Sequence, residues 1–300
     1  MMDSIAQREW ILRATQAACS GRCAPQGRSG EDRCQARTSS RKPVQFFLAP
    51  ARQAHHPLCF AGEPMATPSQ KPPGITVILV HGAWADGSSW NEVIARLQAE
   101  GLPVVSVQNP LSSLADDVAA VQRAMELVEG PIVLVGHSWG GTVITQAGAS
   151  ARVRALVYIA AFAPDRNQST NALQAPYPAP EYASLLRADS AGYLHFPVDA
   201  LPHYFAQDLP AANANVLAAT QGPIRASAFD EVVTEAAWRD RPSWYLVTEH
   251  DRMISPRLQR DMAQRIQART REVPASHVPF ASRPKETTAV ILEAVAEVSK

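Results

Sequence analysis

The sequence predicts an α/β fold, a mostly parallel sheet with helices on both faces, preceded by an extension of different character. Three observations carry this. From Gly74 onward, short β-branched runs alternate with segments of helical apolar period. One run, residues 132–135, ends in Gly136-His137-Ser138-Trp139-Gly140 and passes directly into a helix-like segment, the pattern of a nucleophile elbow. Residues 1–72 show neither period and are rich in Arg, Ser, Gln and Pro.

Residues 75–80 form a continuous apolar run, read as a buried strand, and end in His81-Gly82-Ala83-Trp84. Trp90, Val93, Ile94 and Leu97 follow at i, i+3, i+4 and i+7, with Gly101 as helix stop. A second strand spans 103–107. Leu114, Val118, Val121, Met125 and Val128 mark one helix face, with Asp116 and Asp117 in its first turn and Gly130 at its end. The elbow strand and its helix come next, then a strand over 155–161. Between residues 163 and 240 the rhythm breaks: eight prolines fall among aromatic and Ala-rich pieces. That composition predicts short helices and loops rather than strands, inserted as a cap over the sheet's active edge. The rhythm resumes with a strand at 243–247, a helix through Leu258, Met262 and Ile266, a strand at 271–274, and a terminal helix opened by Pro284. The domain organisation read from this is an extension over 1–72 and one domain over 73–300.

Composition narrows the function classes. The formal net charge of the 300 residues is zero, so no basic surplus points to nucleic acid or an anionic membrane surface. The longest apolar stretch, residues 153–164, contains Arg154 and is too short to span a bilayer. Cys19, Cys23, Cys34 and Cys59 all lie in the extension, lack finger spacing, and read as incidental thiols. No metal-ligand spacing and no phosphate loop is present, so neither metal nor cofactor is expected. Residues 5–18 carry Arg8, Glu9 and Arg13 where a secretory signal needs an apolar core, and the expected location is cytoplasmic. The extension reads as a dispensable leader, with an ordinary protein start at Met65. Oligomeric state is not readable, and a homodimer is left open.

A serine hydroxyl is a poor nucleophile at neutral pH and needs an adjacent base, which needs a carboxylate to fix its tautomer. Ser138 at the elbow, Asp251 after the 243–247 strand and His277 after the last strand all reach the carboxyl edge of the sheet, in the order nucleophile, acid, base. Glu249, on the same strand exit, is the rival acid. The oxyanion hole needs two backbone donors: the N–H of Trp139 at the helix start and that of Ala83 after the first strand. Trp84, His137 and Trp139 are read as pocket walls, with His81 shaping a turn.

His81-Gly82-Ala83-Trp84, Gly136-His137-Ser138-Trp139-Gly140-Gly141, Asp251-Arg252 and Ser276-His277 together resemble the α/β-hydrolase superfamily. Within it the chain is similar to the small cofactor-free branch of bacterial esterase-like hydrolases, plant methylesterases and hydroxynitrile lyases. The resemblance covers residues 74–300 and implies ester hydrolysis through an acyl-enzyme, under a helical cap enclosing a small pocket. The lyases resemble one another in a Lys after the catalytic His and a Thr in the oxyanion loop; Val278 and Ala83 stand there in this chain. A small carboxylic ester is therefore the expected substrate. A small-molecule receptor on the same fold, a thioesterase and a lyase are the alternatives.

Overall fold

The computed structural model describes residues 74–300. The expectations for residues 1–72, with all four cysteines, lie outside the described residues. Six strands form one sheet in the order β2-β1-β3-β4-β8-β9: β1 Thr76–Val80, β2 Val104–Val107, β3 Ile132–His137, β4 Val153–Ile159, β8 Ser243–Thr248 and β9 Arg269–Val273. Every neighbouring pair runs parallel. All residues of β1, β3 and β8 are buried, which requires helices over both faces and explains why these strands read as unbroken apolar runs. Helix α1 (Asn91–Ala99) packs with the terminal helix α9 (Pro284–Val298), which lies across β4 and β8. Helices α2 (Leu114–Glu126) and α3 (Trp139–Ala147) pack against each other, α2 also against β1 and β2 and α3 against β1 and β3.

Strand β9 begins two residues before the strand read from the sequence. Four of its five residues are exposed, and Arg269, Arg271 and Glu272 give it the charged character of a protected sheet edge. The 163–240 insertion departs further from expectation. It holds short helices, α4 (Thr170–Gln174), α5 (Leu201–Tyr204) and α6 (Ala211–Thr220), but also a three-stranded antiparallel sheet of β5 (Arg187–Ala188), β6 (Tyr193–His195) and β7 (Ile224–Arg225). Turn chemistry builds its first hairpin. Asp189 Oδ1 accepts the N–H groups of Ala191 and Tyr193, and Gly192 takes a φ of +81°.

From β1 the chain moves outward to β2 and returns to β3 on the other side of β1. Loops leaving the carboxyl ends of β1 and β3 therefore diverge and leave a crevice between them. After β8 come α7 (Pro256–Arg265), β9 and α8 (Pro279–Ser282), so the loops following β8 and β9 reach the same edge. No helix among the described residues is long and apolar enough to cross a membrane.

Candidate active site

Ser138 follows β3 with φ +53° and ψ −121°, a conformation L-residues rarely adopt. Its neighbours hold it there. The Ser138 carbonyl accepts the N–H groups of Gly141 (3.0 Å) and Phe162 (3.1 Å), and a side chain at Gly140 would stand 2.4 Å from the Val80 carbonyl oxygen. Only glycine lets α3 leave so sharply past β1. Gly82 lies equally close from the other side, where an added Cβ would meet Ser138 Cβ at 2.7 Å. The 81–83 loop thus presses directly on the nucleophile position. Neither the N–H of Ala83 nor that of Trp139 makes a hydrogen bond to another described residue. The first N–H groups of a helix have no partner inside it, so the start of α3 offers a donor beside Ser138.

His277 is fully buried, and its Nδ1 donates to Asp251 Oδ2 at 2.7 Å. Its Nε2 is buried without a hydrogen-bond partner among the described residues. With the proton on Nδ1, Nε2 keeps the lone pair a base needs. Asp251 is held by more than the histidine. Oδ1 accepts the N–H groups of Met253 (2.7 Å) and Ile254 (3.0 Å), and Oδ2 accepts from Thr248 Oγ1 (2.9 Å) and Gln259 Nε2 (2.8 Å). Glu249 is exposed, and the His277 ring bonds to Asp251 and not to it. Thr248 and Gln259 carried no signal of a role in the sequence, since they meet Asp251 only through the packing of α7 on β8.

Three residues read as pocket walls are placed differently. His137 is completely buried, and its Nε2 donates to the His277 carbonyl at 2.8 Å. Its ring packs 4.6 Å from that of His277 and edge-on to Phe205 and Phe280. It braces the histidine from behind instead of facing a pocket. The Trp139 ring, also buried, turns toward α2 and donates to Asp117 Oδ2 at 2.7 Å, so it does not narrow an open pocket. Trp84 stitches its loop to the cap: its indole donates to the Leu194 carbonyl at 2.9 Å, and Tyr182 and Phe196 meet its ring edge-on. His81 pins the same loop, its Nδ1 on the Gly82 carbonyl and its Nε2 accepting the Asn109 N–H, both at 2.9 Å.

The cap covers the site. Ser138 is 7% exposed and His277 is 0% exposed. Phe205 of the cap lies edge-on to His277 at 5.0 Å. A cleft of about 500 Å³ opens at the seam between cap and body, lined by Tyr177, Pro180 and Tyr204 on one side and Asp251, Met253 and Leu258 on the other. No three His, Cys, Asp or Glu side chains among the described residues are grouped to hold a metal.

Burial holds the pKa of His137 well below the ordinary histidine value, with the nearby His277 and His81 adding, and burial lowers His81 as well. Both resist protonation when folded, whereas in the unfolded chain they take up protons below about pH 6.5. The unfolded state then binds more protons, so stability falls as pH drops through that region. The urea midpoint should be lower at pH 5 than at pH 7, and His137→Gln should reduce the difference. An equal difference in wild type and variant would remove His137 as its source.

Residues 77–290 match the model of the alpha/beta hydrolase family. The probable hydrolase R7 of a Phoma species is 27% identical over 239 residues, 72% of this chain and 96% of the relative. A carbendazim hydrolyzing esterase of a Nocardioides species is 33% identical over 112 residues, 32% of this chain and 46% of the relative. The crystal structure of a pyrethroid hydrolase from Sphingobium faniae superposes with a TM-score of 0.63 at 20% identity, covering 74% of this chain and 98% of that one. An extracellular α/β-hydrolase from a Paenibacillus species gives a TM-score of 0.63 at 22% identity, covering 73% and 98%. With its parallel sheet, elbow after β3 and matched span, the chain belongs to the alpha/beta hydrolase family.

Proposed function

We propose that this protein is a serine esterase acting on small carboxylic esters. The observation that carries the reading is the state of His277: Nδ1 is committed to Asp251 at 2.7 Å, while Nε2, the nitrogen left to act as base, is buried and unpaired. In this reading His277 Nε2 takes the Ser138 proton as Oγ attacks the ester carbonyl. The N–H groups of Ala83 and Trp139 stabilise the oxyanion, each worth about 3 kcal/mol in the transition state. Collapse expels the alcohol, which takes the proton from His277 and leaves an acyl-Ser138. Water, deprotonated by the same histidine, releases the acid and regenerates the hydroxyl. The hydrolase and esterase names of the relatives favour this chemistry.

Sustained turnover of short p-nitrophenyl esters, lost in Ser138→Ala, is the expected result. Ligand-induced stabilisation with one slow turnover would instead identify a receptor. Cyanohydrin cleavage is not expected. The residue after His277 is Val278, wholly buried, which supplies no cation to a departing cyanide. Mandelonitrile should break down at the buffer rate, and Ser138-dependent cyanide release would overturn the esterase assignment.

A further inference from the structure

Asp117 is buried on α2 and takes no part in the chemistry above. Its two oxygens accept from N–H groups in different parts of the molecule. Oδ2 accepts the Trp139 indole N–H, and Oδ1 accepts the backbone N–H of Leu111, each at 2.7 Å. Trp139 opens α3, and its backbone N–H is a proposed oxyanion donor. Leu111 sits in the loop after β2 at a φ of +56°, and its carbonyl accepts the Arg225 N–H of cap strand β7 at 2.8 Å. Nearby, the Leu114 N–H donates to Glu231 of the cap at 3.0 Å. The Trp139 ring meets cap Phe229 edge-on, with centroids 5.3 Å apart.

One carboxylate therefore ties the elbow helix to a strained loop that holds the cap. We propose that Asp117 is a positioning residue for oxyanion stabilisation: by fixing the Trp139 indole it fixes the direction of the Trp139 backbone N–H, and through Leu111 it links that direction to the seating of the cap. Misplacing a preorganised donor by a fraction of an ångström weakens it where charge develops, while ground-state binding is little changed. The charged groups that act on Asp117 are Asp116, one residue earlier, and Glu231 from the cap, both carboxylates. Burial, with these two adding, pushes its carboxyl up to about 6, so at neutral pH it is still an ionised acceptor for both donors.

The inference rests on the esterase reading, and a double-mutant cycle on ester turnover tests it separately. Asp117→Asn turns one acceptor into an N–H donor facing another donor, and Trp139→Phe removes the indole N–H while leaving the carboxylate. Each single variant should lower kcat roughly 10- to 100-fold with KM within about threefold of wild type. Adding Asp117→Asn to Trp139→Phe should cost no more than about a further threefold, because the two act through one contact. If Asp117→Asn costs the same factor in both backgrounds, or Trp139→Phe keeps kcat within about twofold of wild type, the positioning role is overturned. Should Asp117→Asn fail to fold, the Trp139→Phe result decides alone by that criterion. Absence of Ser138-dependent turnover in the wild type would instead mark failure of the esterase reading.

Discussion

Ser138→Ala is expected to lower ester turnover by about four to six orders of magnitude without changing the melting curve. The chemical effect is large because in the proposed mechanism Oγ forms the acyl bond, which alanine has no atom to make. The structural effect is small because the Ser138 hydroxyl makes no hydrogen bond among the described residues, while the strained turn is held by backbone contacts that alanine retains. A residual rate above buffer should remain, supplied by the oxyanion donors and substrate binding. Wild-type activity in the variant would mean that the hydrolysis occurs elsewhere.

The second large effect is expected at Asp251. An acid that orients the histidine and stabilises its charged form is worth about ten thousand-fold in rate. In Asp251→Asn an amide nitrogen can face His277 Nδ1, donor against donor, unless the ring adopts the wrong tautomer. The other oxygen still accepts from Met253 and Ile254, so the loop should keep its shape. Turnover should fall by roughly four orders of magnitude, with folding little changed. Glu249→Gln is the control: its side chain is exposed, and the variant should stay within about tenfold of wild type. The opposite ranking would transfer the acid's role to Glu249.

How far the fold could be read depended on burial. Strands β1, β3 and β8 are covered on both faces and so appear in sequence as plain apolar runs, whereas edge strand β9 hides its first residues behind Arg269 and Arg271. The cap sheet escaped because strands of two and three residues are shorter than any periodicity window. Only the Asp189 to Gly192 turn signalled it. At the candidate site, the shared sheet edge of Ser138, Asp251 and His277 was legible because chain order along a parallel sheet fixes which loops share an edge. The neighbourhoods of Thr248, Gln259 and Asp117 were not, since their contacts are made by helix packing. His137 and Trp139 were misread for a related reason: adjacency to the nucleophile does not tell which way a side chain leaves the turn. One bears on the His277 carbonyl and the other on Asp117.

In the proposed mechanism Ser138 is the nucleophile, activated by His277. Its most direct test is intact and peptide mass spectrometry after reaction with an activated organophosphate ester. One phosphoryl group per chain is expected, on the peptide containing Ser138, formed in step with loss of esterase activity and absent from Ser138→Ala. Complete inactivation with the phosphoryl group on another residue, or full activity retained by a chain modified at Ser138, would contradict it.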